Sequence, residues 1–204
     1  MPLDVTPYID PAKTAVVNME CQETLIGERS ILPGLAKSAR EVGLIDNLVR
    51  LFDAARGRGV RIYYCTDERR PDGFGFANNM LVSRNMPEGV TGVGGMGPVM
   101  APIAPRPEDV VLRREQGLTG FFATSLDQYL RNTGVTTVII TGVSLNMAVL
   151  GTSIEATNRG YMVVVPSDCV ASDPREYADY ALKYTIRNLG YVVPSSMIVD
   201  FWTK

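Results

Sequence analysis

The chain has 204 residues, enough for one α/β domain spanning 1–204 with a sizeable buried core. Its 20 Lys and Arg balance 22 Asp and Glu, which gives no electrostatic case for nucleic acid or an anionic membrane, and histidine is absent, which removes Ser-His-Asp and Cys-His catalysis and the commonest transition-metal ligand. No apolar run approaches the roughly 20 residues of a membrane span, the stretch 1–13 lacks the apolar core of a secretory signal, and three cysteines (Cys21, Cys65 and Cys169) cannot all pair, so reduced thiols in a cytoplasm are expected.

Residues 14–19 (TAVVNM) are a short, mostly apolar run and read as a buried first strand. Residues 43–58 follow helical spacing. Leu44, Leu48, Leu51, Phe52 and Ala55 share one face, and Gly57 and Gly59 stop the helix. The second strand is 60–65 (VRIYYC), and the third, 109–113, opens with Val110-Val111-Leu112. A helix over 125–132 leads to a fourth strand, 137–141 (TVIIT). A helix over 145–159, ended by Gly160, leads to a fifth, 161–165 (YMVVV). Asp173-Pro174-Arg175-Glu176 then opens the last helix, with Asp173 as cap, Pro174 in the first turn and Glu176 completing a capping box. Its expected core face is Ala178, Ala181, Leu182, Thr185 and Leu189, and a short sixth strand covers 191–194. Strand and helix alternate, and the strands are apolar throughout. That pattern predicts an α/β fold: a doubly wound, mainly parallel six-stranded sheet with helices on both faces, a Rossmann-like three-layer sandwich. Ligands of such sheets bind beyond the carboxyl ends of the strands.

The segment 66–107 breaks this rhythm. It is rich in Gly, Pro, Met and Asn, and its length suits a lid or a subunit-contact arm. Part of 74–100 is expected to contact a second subunit, making the protein a homo-oligomer. Asp67, Arg69, Phe76 and Asn78 are its candidates for a pocket. Gly92-Val93-Gly94-Gly95-Met96-Gly97 matches G-x-G-x-x-G, but it follows no strand, and prolines rather than a helix come after it. A pyrophosphate would find no helix N-terminus there, so no dinucleotide site is expected.

Three segments carry chemistry. The first is Thr14-Ala15-Val16-Val17-Asn18-Met19-Glu20-Cys21-Gln22. The second is Val110-Val111-Leu112-Arg113-Arg114-Glu115, followed by Phe121-Phe122-Ala123-Thr124-Ser125-Leu126. The third is the turn Thr141-Gly142-Val143-Ser144-Leu145-Asn146-Met147-Ala148-Val149. Together, in this order, they resemble the isochorismatase-like (cysteine hydrolase) superfamily. That family opens on T-A-L-L-x-x-D-M-Q, delivers a lysine ahead of F-x-x-T-x-L, and places a nucleophilic cysteine in T-G-V-x-T-x-x-C-V. The resemblance implies the three-layer fold and a cavity at the strand ends. It places Glu20 at the catalytic aspartate, either Arg114 or Glu115 at the lysine, and Ala148 at the cysteine. It also implies an oxyanion site at Asn146 and the N–H groups of Met147 and Ala148, a cis peptide at Val143–Ser144, and substrate contacts from Gln22, Glu115, Phe121 and Ser144.

A methyl group cannot attack a carbonyl, so the family's covalent mechanism is closed at position 148. Isochorismatases proper lack the nucleophile. They cleave a vinyl ether with a carboxylic acid that protonates carbon before water captures the oxocarbenium ion. Glu20, leaving the end of a buried strand, suits an acid or base of that kind. Arg114 inward would bind an anion or polarise a carbonyl but is no base, whereas Glu115 inward would raise the pKa of one carboxyl. The expected function is thus an isochorismatase-like hydrolase for a small polar metabolite, using carboxylate acid/base chemistry, with no cofactor and no metal. Lyase or isomerase chemistry, a non-catalytic binding or assembly member, and a hydrolase with a relocated cysteine such as Cys65 are the alternatives.

Overall fold

The computed structural model describes residues 4–77, 79–84 and 95–204. The six strands are β1 (Thr14–Met19), β2 (Arg61–Asp67), β3 (Val110–Arg114), β4 (Thr137–Gly142), β5 (Met162–Pro166) and β6 (Tyr191–Val193). They form one sheet in the order β3-β2-β1-β4-β5-β6, and every pairing is parallel. This is the α/β class that the alternation of apolar runs predicts. Strand ends differ from the sequence bounds by one or two residues. Two of those differences matter: β2 runs on to Asp67 and β3 to Arg114, and these two residues are paired in register.

The helices are α1 (Glu23–Ile26), α2 (Pro33–Glu41), α3 (Leu44–Gly57), α4 (Leu81–Arg84), α5 (Leu126–Asn132), α6 (Leu150–Asn158), α7 (Arg175–Ala181), α8 (Arg187–Leu189) and α9 (Ser195–Trp202). The five core-face residues expected for α3 are all fully buried. They pack with Ile198 and Trp202 of α9 over Val16, Ile62, Ile139 and Val164, on one side of the sheet. Alternation sends Val17, Tyr63, Val138, Ile140 and Val163 to the other side, against Leu126, Leu130, Ala156 and Ile186. Each such aliphatic side chain contributes about 1.5–3 kcal/mol of transfer free energy, so the two layers hold the sheet and fix its carboxyl edge. None of the helices among the described residues is long and apolar enough to cross a membrane.

Four helices, α1, α2, α4 and α9, have no counterpart among the elements expected from the sequence, and two of them build core. α2 buries Leu35, Ala36 and Ala39, and α9 buries Ile198 and Trp202. Both are short. α9 is held by side-chain bonds rather than by composition: Asp168 accepts from the Ser195 N–H and hydroxyl, each at 2.8 Å, and Trp202 Nε1 donates to the Ile9 carbonyl at 2.9 Å. The expected cap at Asp173 does not form. α7 starts at Arg175 with an extended Pro174 at its N-cap and no side-chain cap bond, and the Asp173 carboxylate lies instead against Gly34 in α2. The core face of that last long helix also shifts. A π turn over Leu182–Ile186 inserts one residue into the helical repeat, so Ile186 is buried and Thr185 is exposed.

Candidate active site

Parallel strands bring Met19, Asp67, Arg114 and Gly142 to one edge of the sheet. β4 has to end on glycine. Gly142 has φ 99°, and a Cβ there would overlap the carbonyl oxygen of Met19. Just beyond this edge lies a cavity of about 720 Å³, lined by Glu20, Arg114, Ser144, Met147 and Ala148 among others.

Glu20 is the first residue past β1. Its N–H donates to the Cys65 carbonyl at 3.1 Å and its own carbonyl accepts from Gln22 at 2.8 Å. Its φ is 51°, in the left-handed region. A non-glycine residue there costs about 1–2 kcal/mol, and such outliers cluster where a side chain has to be aimed. The carboxylate meets Arg114: Oε1 accepts a hydrogen bond from Nη2. The Arg114 side chain is 1% exposed and that of Glu20 17%. Arg114 also donates from Nη1 to the Gly117 carbonyl at 3.1 Å, while its Nε is buried without a partner among the described residues. Burial pushes the Glu20 carboxyl above the ordinary glutamate value, and the Arg114 charge works against that rise without cancelling it.

Alternation on β3 separates the two arginines. Arg114 is inward, whereas Arg113 is 73% exposed and pairs with Glu68 at 3.1 Å. Glu115 is an exposed residue at the cavity, so it is Arg114 that contacts Glu20. Ser144, Met147 and Ala148 lie at the cavity on the turn after β4, and the Val143–Ser144 peptide is cis. Leu145–Val149 is a π turn, not the start of a regular α-helix. The Met147 N–H is used inside it, donating to the Ser144 carbonyl at 3.2 Å, so it is not a free oxyanion donor.

Three of the expected contact residues are not among the described residues lining the cavity. Gln22 is fully buried beneath it. Its amide accepts from the Asp67 N–H (2.7 Å) and donates to the carbonyls of Asp67 (3.1 Å) and Gly97 (2.6 Å). Phe121 packs inside, stacked on Tyr161 and covered by the Arg159 guanidinium, and its neighbour Phe122 lines the cavity instead. Asn146 is half-buried, its Oδ1 without a hydrogen-bond partner among the described residues, while Met147 and Ala148 of the same π turn line the cavity.

The long segment supplies Asp67, Arg69 and Phe76 to the cavity, with Met96 from its returning limb. Asn78, and residues 92–94 of the glycine-rich motif, lie outside the described residues. Leu25, Leu32 and Leu35 also line the cavity, from α1, α2 and the residue before it, a stretch with no helix expected from the sequence. The three thiols are buried. Burial pushes Cys21 and Cys65 up to about 12 and Cys169 higher still. Among the described residues, no three acidic, Cys or His side chains cluster as metal ligands.

Residues 14–196 match the isochorismatase domain. The ureidoacrylate amidohydrolase RutB of Methylobacterium radiotolerans is 25% identical over 175 residues, covering 78% of this chain and 67% of the relative. Maleamate amidohydrolase of Pseudomonas putida is 28% identical over 142 residues, covering 66% and 64%. The chain thus spans about two thirds of the length of these two curated relatives. A crystal structure of a cysteine hydrolase from Pseudomonas syringae pv. phaseolicola superposes with a TM-score of 0.81 at 22% identity, covering 96% of this chain and 95% of that one, and so shares the fold. With the domain matched over residues 14–196 on this parallel sheet, the chain belongs to the isochorismatase family.

Proposed function

We propose that this protein is a hydrolase of a small polar metabolite in which Glu20 carries the proton and no thiol attacks the substrate. The observation that carries the reading is the Glu20–Arg114 pair at a cavity that Ala148, the residue the resemblance aligns with the family's nucleophile, also lines. The amidohydrolase relatives support hydrolysis as the reaction class. The buried thiols, their pKa values pushed up, support a chemistry that does without them.

A carboxyl group with a raised pKa suits cleavage of a vinyl ether. Glu20 gives its proton to the terminal alkene carbon. The cation that develops is faced by the new carboxylate, which Arg114 stabilises. Water adds to the cation and returns a proton to Glu20, and the hemiketal breaks into an alcohol and a carbonyl compound. Arg114 stays protonated throughout. The same reading includes self-association. Phe74 is 80% exposed, and Leu81 and Val82 are also exposed, on the segment that borders the cavity. These apolar side chains suit a second copy of the chain.

The test is turnover of a panel of vinyl ethers, esters and amides by enzyme with and without iodoacetamide treatment. Vinyl-ether cleavage that survives alkylation and is lost in Glu20→Gln is expected. Loss of activity on alkylation would contradict the proposal in favour of a relocated cysteine. Ligand binding with no turnover across the panel would contradict it in favour of a binding protein.

A further inference from the structure

Among the described residues, most polar side chains on the cavity wall are already engaged by the protein. Asp67 spends both carboxylate oxygens on Arg69, with Nε to Oδ1 at 3.0 Å and Nη2 to Oδ2 at 2.9 Å, and the Phe76 ring lies over that guanidinium at 3.9 Å. The Gln116 amide accepts from the Ala77 N–H at 3.2 Å and donates to the Gly75 carbonyl at 3.0 Å. The Thr119 hydroxyl donates to Glu155 at 3.0 Å, and Glu155 also forms an ion pair with Arg159 at 3.1 Å. Arg114 is taken up by Glu20 and the Gly117 carbonyl. The Glu20 carboxyl and the Ser144 hydroxyl are left at the inner end, while Asn79 and Glu115 are exposed, where water serves them. A ligand polar along its whole length would give up water for walls that offer it few partners, and each buried group left unbonded carries a cost.

The rest of the wall is apolar, and part of it is open. Phe122 lines the cavity at 52% exposure. It packs on Gly117, whose φ is 80°, and a Cβ there would lie 2.3 Å from Phe122 Cδ1, so only glycine lets the ring sit where it does. The Gly117 carbonyl accepts from Arg114 Nη1 at 3.1 Å, which puts the ring beside the reacting pair. Exposed Leu118 and half-buried Leu32, Met80 and Met147 extend this surface. These residues come from the turn after β3, the residue before α2, the approach to α4 and the π turn after β4. Apolar surface gathered from four segments around one cavity is stabilised when an apolar group covers it.

We propose that the substrate is amphipathic, with a polar reacting group at Glu20 joined to a medium-chain alkyl body that Phe122, Leu118, Leu32, Met80 and Met147 select. The proposal rests on the hydrolase reading of the same cavity and confines the polarity of the metabolite to its reacting end. The about 720 Å³ of room exceeds what a reacting head group alone would fill. The side chains decide for an alkyl body over a ring. Leucine and methionine have no flat face, and methionine adapts to a flexible chain. A flat ring would find Phe122 to stack on, but the Phe76 ring already carries Arg69.

The experiment is isothermal titration of the full chain with 1-butanol, 1-hexanol and 1-octanol, with 1,6-hexanediol and benzyl alcohol as comparisons. Affinity is expected to rise about three- to fourfold per methylene from butanol to hexanol. Hexanediol, whose second hydroxyl would lie unbonded among apolar side chains, should bind about fivefold or more weaker than hexanol. Benzyl alcohol should also bind more weakly than hexanol. Phe122→Ser and Met147→Gln, on two different segments, should each flatten the chain-length dependence while melting cooperatively. A flat series in the wild type, hexanediol bound as well as hexanol, or benzyl alcohol bound more tightly than hexanol would overturn the alkyl assignment. So would a chain-length dependence undiminished in both variants, since the alkanols would then sit elsewhere. Chain-length-dependent binding by a protein that turns over nothing would refute only the hydrolase reading, and turnover with a flat series would refute only the alkyl body.

Discussion

At the scale of single residues, the proposed chemistry turns on Glu20 and on the methyl group at position 148. Placing a thiol at Ala148 supplies a nucleophile but not its activation. The side chain is buried at the cavity wall, and Arg114, a cation on the same cavity, is committed to Glu20 and Gly117. Ala148→Cys is therefore expected to give no amide hydrolysis above background in a nicotinamide assay; robust release of ammonia would mean that Glu20 and Arg114 activate a thiol unaided. The raised pKa of Glu20 also has a consequence for stability. A carboxyl whose folded pKa lies above its unfolded value, near 4.5, contributes stability that is full below that value and is lost as pH rises through the folded pKa. Urea unfolding at a series of pH values should show this decline in the wild type and a flatter profile in Glu20→Gln. Glu20, Arg114 and Ala148 were legible as candidates because strand ends and family spacing mark them. Gln22 and Phe121 were not legible as inward structural residues, since neither period nor motif says that an amide will bridge two strand ends or that one of two adjacent phenylalanines will turn into the core. Arg69 was legible only as a loop candidate. Its two-point grip on Asp67 needs β2 to extend as far as Asp67, beyond the apolar run that marks the strand.

At the scale of elements, apolar periodicity located all six strands and the longest helix, because those segments bury a continuous face. It failed where side-chain hydrogen bonds or an irregular turn decide the structure. The π turn at Leu182–Ile186 exchanges Thr185 for Ile186 in the core, and α9 depends on Asp168. Asp109 is a further instance. The sequence reading takes it as the first residue of a strand, but its carboxylate is 1% exposed and receives Arg56 from α3, with Nη2 to Oδ2 at 2.6 Å. Arg56 also donates to the Tyr64 hydroxyl at 3.0 Å, which donates on to the Ile103 carbonyl at 2.9 Å. Removing Asp109 leaves Arg56 with the Tyr64 hydroxyl and a long contact to the exposed Asp53 at 3.9 Å, so Asp109→Ala should lower the unfolding free energy by about 2–3 kcal/mol, below the cost of a wholly unpaired buried charge. Chemical denaturation measures it; a loss under about 1 kcal/mol would mean that the Arg56 charge finds water or another partner.

At the scale of the whole molecule, six parallel strands deliver their carboxyl ends to one edge, and the family's order of segments thereby becomes a cavity. The topology follows from the sequence because apolar strands alternating with amphipathic helices can bury both faces in few other ways. The substrate does not follow, because cavity shape depends on 66–107, where neither period nor composition fixes a path. Self-association is expected to show in sedimentation velocity at micromolar concentration as a dimer or larger species, and a monomer alone would count against a subunit role for the exposed Phe74, Leu81 and Val82. The central claim, that Glu20 is the proton donor, is tested most directly by the pH dependence of kcat/KM for vinyl-ether cleavage in the wild type and Glu20→Gln. For the wild type, kcat/KM should fall as pH rises through a pKa above 4.5, because the acid form is the active one. Glu20→Gln should lose about a hundredfold or more and show no such limb. Wild-type turnover in Glu20→Gln, or the same limb in both proteins, would contradict the assignment.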